Sequence, residues 1–271
     1  MIKREKVTLE GVPETLLWPL WNRAAEARHP DTLLADPRAV EILDAIDYPF
    51  EARFGKPDAT HALRAVGFDL EVRRFLGEHP DGTVVALGEG LETQFHRVDN
   101  GTVRWLAVDL PESIKCRQRF MPDTDRHKNF ACSALDFRWL DEVDASRGVF
   151  ITAAGLLYYF EEADVARLIG ACADRFRGSE MMFDTVPRWL SRRTLRGLNR
   201  TKTYRVPPMP WGIDGNELLR IKSFHENVVE LREVGFPNGR GLFFGVIAPW
   251  LERLPILRDK RPAMVVVRFK P

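Results

Sequence analysis

The stretch VVALGEGLETQFHRVDNGTVRWLAVDLP, Val84–Pro111, decides the fold. An apolar, β-branched run ends in two glycines, Gly88 and Gly90. A second apolar run ends in Asp109, 21 residues beyond Gly88. A strand that ends in Gly-x-Gly turns tightly and approaches a ligand with no β-carbon in the way. A carboxylate at the end of the next strand accepts two hydrogen bonds from a ribose diol. The layout therefore grips an adenosine, and both nicotinamide dinucleotides and S-adenosylmethionine carry one.

Two features separate these cofactors. A dinucleotide fingerprint wants a third glycine at position 93, which packs the helix and presents its N-terminus to a pyrophosphate. Position 93 is threonine, in GEGLET. Glu89 and Glu92 also put two carboxylates where phosphate charges would lie, whereas a sulfonium and an ammonium suit an acidic loop. The spacing favours the methyl donor over NAD(P). A glycine turn in a sheet without ligand stays open at this point.

Outward from the turn, TVVAL, VRWLAV, NFACSA, GVFITA, EMMFDTV and AMVVVRF read as strands. Segments such as ESIKCRQRF and EADVARLIGACADRF read as helices between the first five. The alternation predicts a parallel sheet with helices on both faces and ligands at the strands' carboxyl ends. The last strand follows a helix-like FGVIAPWLERL and is expected to pair antiparallel. Before the first strand, LLWPLWNRAAEAR, DPRAVEILDAI and DLEVRRFLGEH space apolar residues by three and four. Asp36-Pro37 reads as an N-cap followed by a first-turn proline. We therefore expect a helical cap over 1–80 and a core over 81–271. Seven basic residues and no acidic one lie between Arg188 and Arg205, ahead of VPPMPWG. This run breaks the alternation and is expected to be a lid insertion, about 187–215.

The bulk composition excludes several classes. With 40 basic and 39 acidic residues the net charge is +1, so no global field points to nucleic acid or membrane. Three cysteines without metal spacing suggest free thiols in a reducing compartment. The charged start shows no secretory signal, and the longest apolar stretch, VFITAAGLLYYF, is too short to span a bilayer. A cytoplasmic protein with a small-molecule substrate is expected.

The segment LGEGLETQFHRVDNGTVRWLAVDLPESIKCRQRFMP resembles the leucine carboxyl methyltransferase family. The closer likeness is to its bacterial branch, that of the tetracenomycin polyketide carboxyl O-methyltransferase. RAAEARHPDTLLADPRAVEIL, CSALDFRWLDEV and ITAAGLLYYFEEADV extend the resemblance over roughly residues 15–190. It implies a class I methyltransferase: a Rossmann-like α/β fold with a seven-stranded, mostly parallel sheet and an antiparallel last strand, using S-adenosyl-L-methionine. It also implies roles by position. Arg64 pairs with the methionine carboxylate, Gly88 and Gly90 form the turn beneath it, and Asp109 binds the ribose. Leu110, Leu135 and Asp136 meet the adenine, and Ala153 and Ala154 line the fourth strand end. The chain departs from the family pattern at Glu92 and Gln94, which replace an Asp and an Arg and remove a possible ion pair. It departs again at Ala154, where many members carry Glu. Glu89 is the expected substitute charge. These departures keep a non-catalytic S-adenosylmethionine-binding or interaction protein as an alternative, beside an NAD(P)-dependent oxidoreductase.

An ionised carboxylate needs no general base to accept a methyl group, whereas a phenol with a pKa of about 10 benefits from one. None of the six histidines has triad or metal spacing, and each is expected at the surface or in a loop. A carboxylate acceptor is favoured, with arginines of the insertion, Arg193 among them, as anion contacts. Tyr158 and Tyr159 are expected to wall the substrate site, with Tyr204 and Trp211 closing over a flat ligand.

Overall fold

The computed structural model describes residues 4–237, 239 and 259–271. Seven strands form the central sheet: β1 Thr83–Leu87, β2 Arg104–Asp109, β3 His127–Ala131, β4 Val149–Ala153, β5 Glu180–Thr185, β6 Val228–Val234 and β7 Ala263–Phe269. Their spatial order is β6-β7-β5-β4-β1-β2-β3. The pairs among β1–β5 are parallel, while β7 runs antiparallel to both β5 and β6. The order reverses at β1, where β4 leaves on one side and β2 on the other, so a crevice opens at its carboxyl end.

Strand periodicity assigns the core. Val85, Leu87, Ile151, Ala153, Met181 and Phe183 face a cluster that includes Val165, Leu168 and Cys172 of helix α7, Glu162–Arg175. Val84, Ala86, Phe150 and Met182, one residue out of step, face Phe68, Val72 and Phe75 of helix α4, Thr60–Glu78. Both faces are covered, so β1 and β4 are buried at every position and are apolar apart from Thr83 and Thr152. Each Val, Leu, Ile, Phe or Met among them contributes about 1.5–3 kcal/mol on burial.

Before β1, α1 spans Leu17–Ala27, α2 Pro37–Ala45 and α3 Phe50–Phe54. Asp36 caps α2, accepting the Ala39 N–H at 3.0 Å, and Pro37 occupies the first turn. Leu17, Leu20, Phe50 and Phe54 build a separate cluster with Tyr204 and Val206. Those last two come from the insertion after β5, which holds α8, Arg188–Leu195, and a ribbon pairing Leu198–Asn199 with Arg205–Val206. Between β1 and β3 lie α5, Gln94–Val98, and α6, Pro111–Arg117.

The helix expected over FGVIAPWLERL lies outside the described residues. Strand β6 is absent from the sequence reading. It is an edge strand that carries Glu230, Arg232 and Glu233 and is only partly buried, so it shows no apolar run. All three cysteines are free and buried, and no described helix is long and apolar enough to cross a membrane.

Candidate active site

A cavity of about 410 Å³ opens at the carboxyl ends of the strands. The β1–α5 turn forms its floor. Gly88 and Gly90 have φ of +64° and +49°, which side chains resist. A Cβ on Gly88 would lie 2.8 Å from Leu156 Cδ1, and one on Gly90 2.7 Å from Leu16 Cβ. Asp109 closes the turn from β2: its carboxylate accepts the Gly90 N–H and the Leu110 N–H, each at 2.7 Å. Burial raises its pKa against these bonds. Two backbone donors and the Ser113 side chain still leave accepting capacity on a carboxylate, which has about four lone-pair sites.

Glu89 and Glu92 are neutralised inside the fold. The Glu89 side chain, 2% exposed, accepts Trp105 Nε1–H at 3.1 Å and pairs with Arg117 at 3.2 Å. Burial outweighs both partners and pushes its carboxyl up to about 7. Arg117, fully buried, also donates to the carbonyls of Gly90 at 2.9 Å and Glu92 at 2.7 Å, and to Asn129 Oδ1 at 2.9 Å. It braces the turn from behind. Burial raises Glu92 too, but Arg23 and Arg97, each 2.8 Å away, outweigh it and hold that carboxyl at about 2. No ion pair joins positions 92 and 94; Glu92 is paired with Arg23 from α1 and Arg97 from α5. Gln94 instead donates to Asp69 at 3.0 Å. Thr93 Oγ1 donates to Asp36, so the position that lacks glycine ties the turn to the α2 cap.

At the other end, Arg64 on α4 pairs with Asp184 on β5 at 3.0 Å, and Asp184 Oδ1 accepts the Gly155 N–H at 2.6 Å. Burial opposes the Arg64 charge, and Asp184 and Tyr158 beside it more than restore it. Asp184 is a cavity carboxylate that the sequence reading missed. It stands one strand over from Ala154, which also lines the cavity. Tyr158 and Tyr159 line the cavity wall. Burial pushes the Tyr159 phenol up to about 12 and raises the Tyr158 phenol well above its ordinary value, so both stay protonated at pH 7.

The cavity brings together Arg64, Gly88, Glu89, Gly90, Asp109, Leu110 and Ala154. Several other expected site residues lie apart from it. Ala153 is buried in the sheet core and Leu135 packs against that core. Asp136 bonds Arg138 at 2.6 Å. Tyr204 and Trp211, each 2% exposed, are core residues: Tyr204 packs on Phe54 at 4.8 Å and Trp211 on Phe183 at 6.2 Å. Arg193 is exposed and outside the cavity lining. Of the insertion's cations, Arg200 reaches the cavity wall. It lies 5.0 Å over the Trp18 ring and 3.3 Å from Asp58. Two histidines expected at the surface or in a loop are elsewhere. His61 lines the cavity, and His127 is buried 3.0 Å from Arg117.

Strand order, glycine turn and strand-end acid together define a class I S-adenosylmethionine-dependent methyltransferase. No family model matches the chain. It is 36% identical over 226 residues to the tetracenomycin polyketide synthesis O-methyltransferase TcmP of Streptomyces glaucescens, covering 80% of this chain and 81% of that protein. It is 28% identical over 205 residues to the S-adenosyl-L-methionine-dependent methyltransferase dpfgK of Gibberella zeae, covering 68% of this chain and 69% of that one. The solved structure of the carbon methyltransferase CurJ superposes with a TM-score of 0.51 at 12% identity, covering 96% of this chain and 68% of that one, a likeness of fold alone. The chain belongs to the TcmP family of S-adenosylmethionine-dependent O-methyltransferases.

Proposed function

We propose that the chain methylates a carboxylate on a flat, polyketide-like acceptor. The observation that carries the reading is the cavity's inventory: besides Arg64, which the cofactor uses, it holds a second arginine, Arg200, and two tyrosines held protonated. TcmP, by its name, acts in polyketide synthesis, which supports the acceptor class.

The residues present fit the cofactor. A β-carbon would crowd the glycine turn, and Asp109 keeps accepting capacity for ribose hydroxyls. Gly88 and Gly90 then lie under the methionine part, with Leu110 along the adenine. Glu89 contributes backbone, since its carboxylate is engaged by Trp105 and Arg117. The Arg64–Asp184 pair matches an amino-acid zwitterion, with Arg64 on the carboxylate and Asp184 on the ammonium. When bound, the cofactor supplies an electrophilic methyl group, whose carbon bonds to the acceptor oxygen as the C–S electron pair goes to sulfur. The chain's part is alignment and exclusion of water. The helices ahead of β1 act as a cap, and the 187–215 insertion as a lid over this end of the sheet.

Labelled S-adenosylmethionine offered with paired aromatic acids and phenols tests the reading. Methyl esters are expected. Methyl ethers alone would replace the carboxylate by a phenol.

A further inference from the structure

One cluster on the cavity wall plays no part in the cofactor reading. Asn22 on α1 is 1% exposed, and its Nδ2 lies 2.9 Å from Asp58 Oδ1 and 2.8 Å from His61 Nδ1. Asp58 Oδ1 also accepts the Thr60 N–H at 3.0 Å. A side-chain amide nitrogen has two protons and no lone pair to offer, so both contacts are donations. Turning the amide over would set its oxygen against the Asp58 carboxylate, so the acid fixes its orientation. The Nδ1 lone pair of His61 is therefore taken, and a neutral ring carries its proton on Nε2. Burial, then Arg64 and Arg23, hold the imidazole well below its ordinary pKa, which keeps it neutral. The ring lines the cavity and meets Trp18 edge-on at 5.3 Å, under the reach of Arg200.

We infer that His61 is an acceptor-binding residue whose Nε2–H donates to an ionised oxygen of the acceptor, with Asn22 and Asp58 as positioning residues. The inference rests on the carboxylate reading above and deepens it. A neutral ring with its proton on Nε2 gives a hydrogen bond there and takes no proton. It suits an acceptor that reacts as an anion already and disfavours a phenol that must first be deprotonated. His61 and Arg64 lie three residues apart on α4, so one helix presents both to the cavity. Acceptor and cofactor contacts are thereby held in fixed register.

Two measurements test this. The first needs no acceptor. Nitrogen NMR of histidine-labelled protein at pH 7, assigned by the signal lost in His61→Gln, should show a protonated Nε2 and an unprotonated Nδ1. Asn22→Leu should convert that ring to a mixture of tautomers. The opposite tautomer, or no change in Asn22→Leu, overturns the inference. The second uses 3-hydroxy-2-naphthoate, which carries a carboxylate and a phenol on one flat ring system. The wild type should form the methyl ester. His61→Phe should raise the naphthoate KM by about tenfold or more, the loss expected for one hydrogen bond to a charged group. Adenosylhomocysteine affinity should stay unchanged, and His61→Gln, whose amide still donates, should recover most of the loss. An unchanged KM in His61→Phe overturns the role of His61 and leaves the carboxylate reading standing. A wild-type product that is the methyl ether overturns the carboxylate reading itself. A naphthoate that neither reacts nor binds the adenosylhomocysteine complex overturns both.

Discussion

Arg117 reaches from α6 to the carbonyls of Gly90 and Glu92 and to the buried Glu89 carboxylate, so one side chain sets the shape of the cofactor turn. Arg117→Met should leave Glu89 buried and unpaired, at a cost of about 3–5 kcal/mol. A large fall in Tm, with weaker adenosylhomocysteine binding by calorimetry, is expected. Glu89 itself makes stability depend on pH. Its folded pKa of about 7 lies above the ordinary 4.5, so between those values the native state holds a proton that the unfolded state has released. Stability should therefore fall as pH rises from about 4.5 through 7. Glu89→Gln should flatten that fall, as read from urea midpoints at pH 5 and 7.5. The same residues show what the sequence left hidden. Gly88, Gly90 and Asp109 were legible because conformational freedom and a strand-end charge are local properties. The partners of Glu89 and Glu92 were not, because Arg117, Arg23 and Arg97 arrive from three different helices. The turn is thus not an open acidic loop. Thr93, which bonds Asp36, and α5, only five residues long, are what set it apart from a pyrophosphate-binding helix start.

The insertion after β5 is held down by its ribbon. Arg200 Nε donates to the Phe54 carbonyl at 3.1 Å, Thr201 Oγ1 to the Arg53 carbonyl at 2.8 Å and Thr203 Oγ1 to the Ala52 carbonyl at 2.7 Å. Arg53 answers by donating to the Thr203 carbonyl while pairing with Glu14. Arg53→Ala should loosen this docking. Limited proteolysis is expected to cut the 198–206 ribbon faster, and the acceptor KM should rise several-fold with adenosylhomocysteine affinity unchanged. Equal proteolysis rates would show that Arg53 does not hold the insertion down. At this scale the helices and the buried strands were readable because each carries its own period, 3.6 or continuous apolar. The insertion was recognised as a break in the pattern, but Tyr204 and Trp211 were assigned to a ligand. Large aromatics in a polar, proline-bearing segment look available until the cluster that absorbs them is known.

Across the whole molecule, a topological switch at β1 places the turn, the β2 acid and the β4 and β5 ends around one cavity, and the N-terminal helices supply its outer wall. Part of that wall comes from helices that precede β1 in the chain, so spacing said nothing of His61 as a cavity residue, while Arg200 was covered only as one of the insertion's arginines. The central claim is that this cavity holds the methyl donor with its ribose on Asp109. The direct test is calorimetric titration of adenosylhomocysteine into the wild type and Asp109→Asn. The account predicts one site in the wild type, at least about tenfold weaker binding in the variant from loss of charged hydrogen bonds, and no binding of NAD by either. Equal affinity in the two proteins, or NAD binding at the same site, would contradict it.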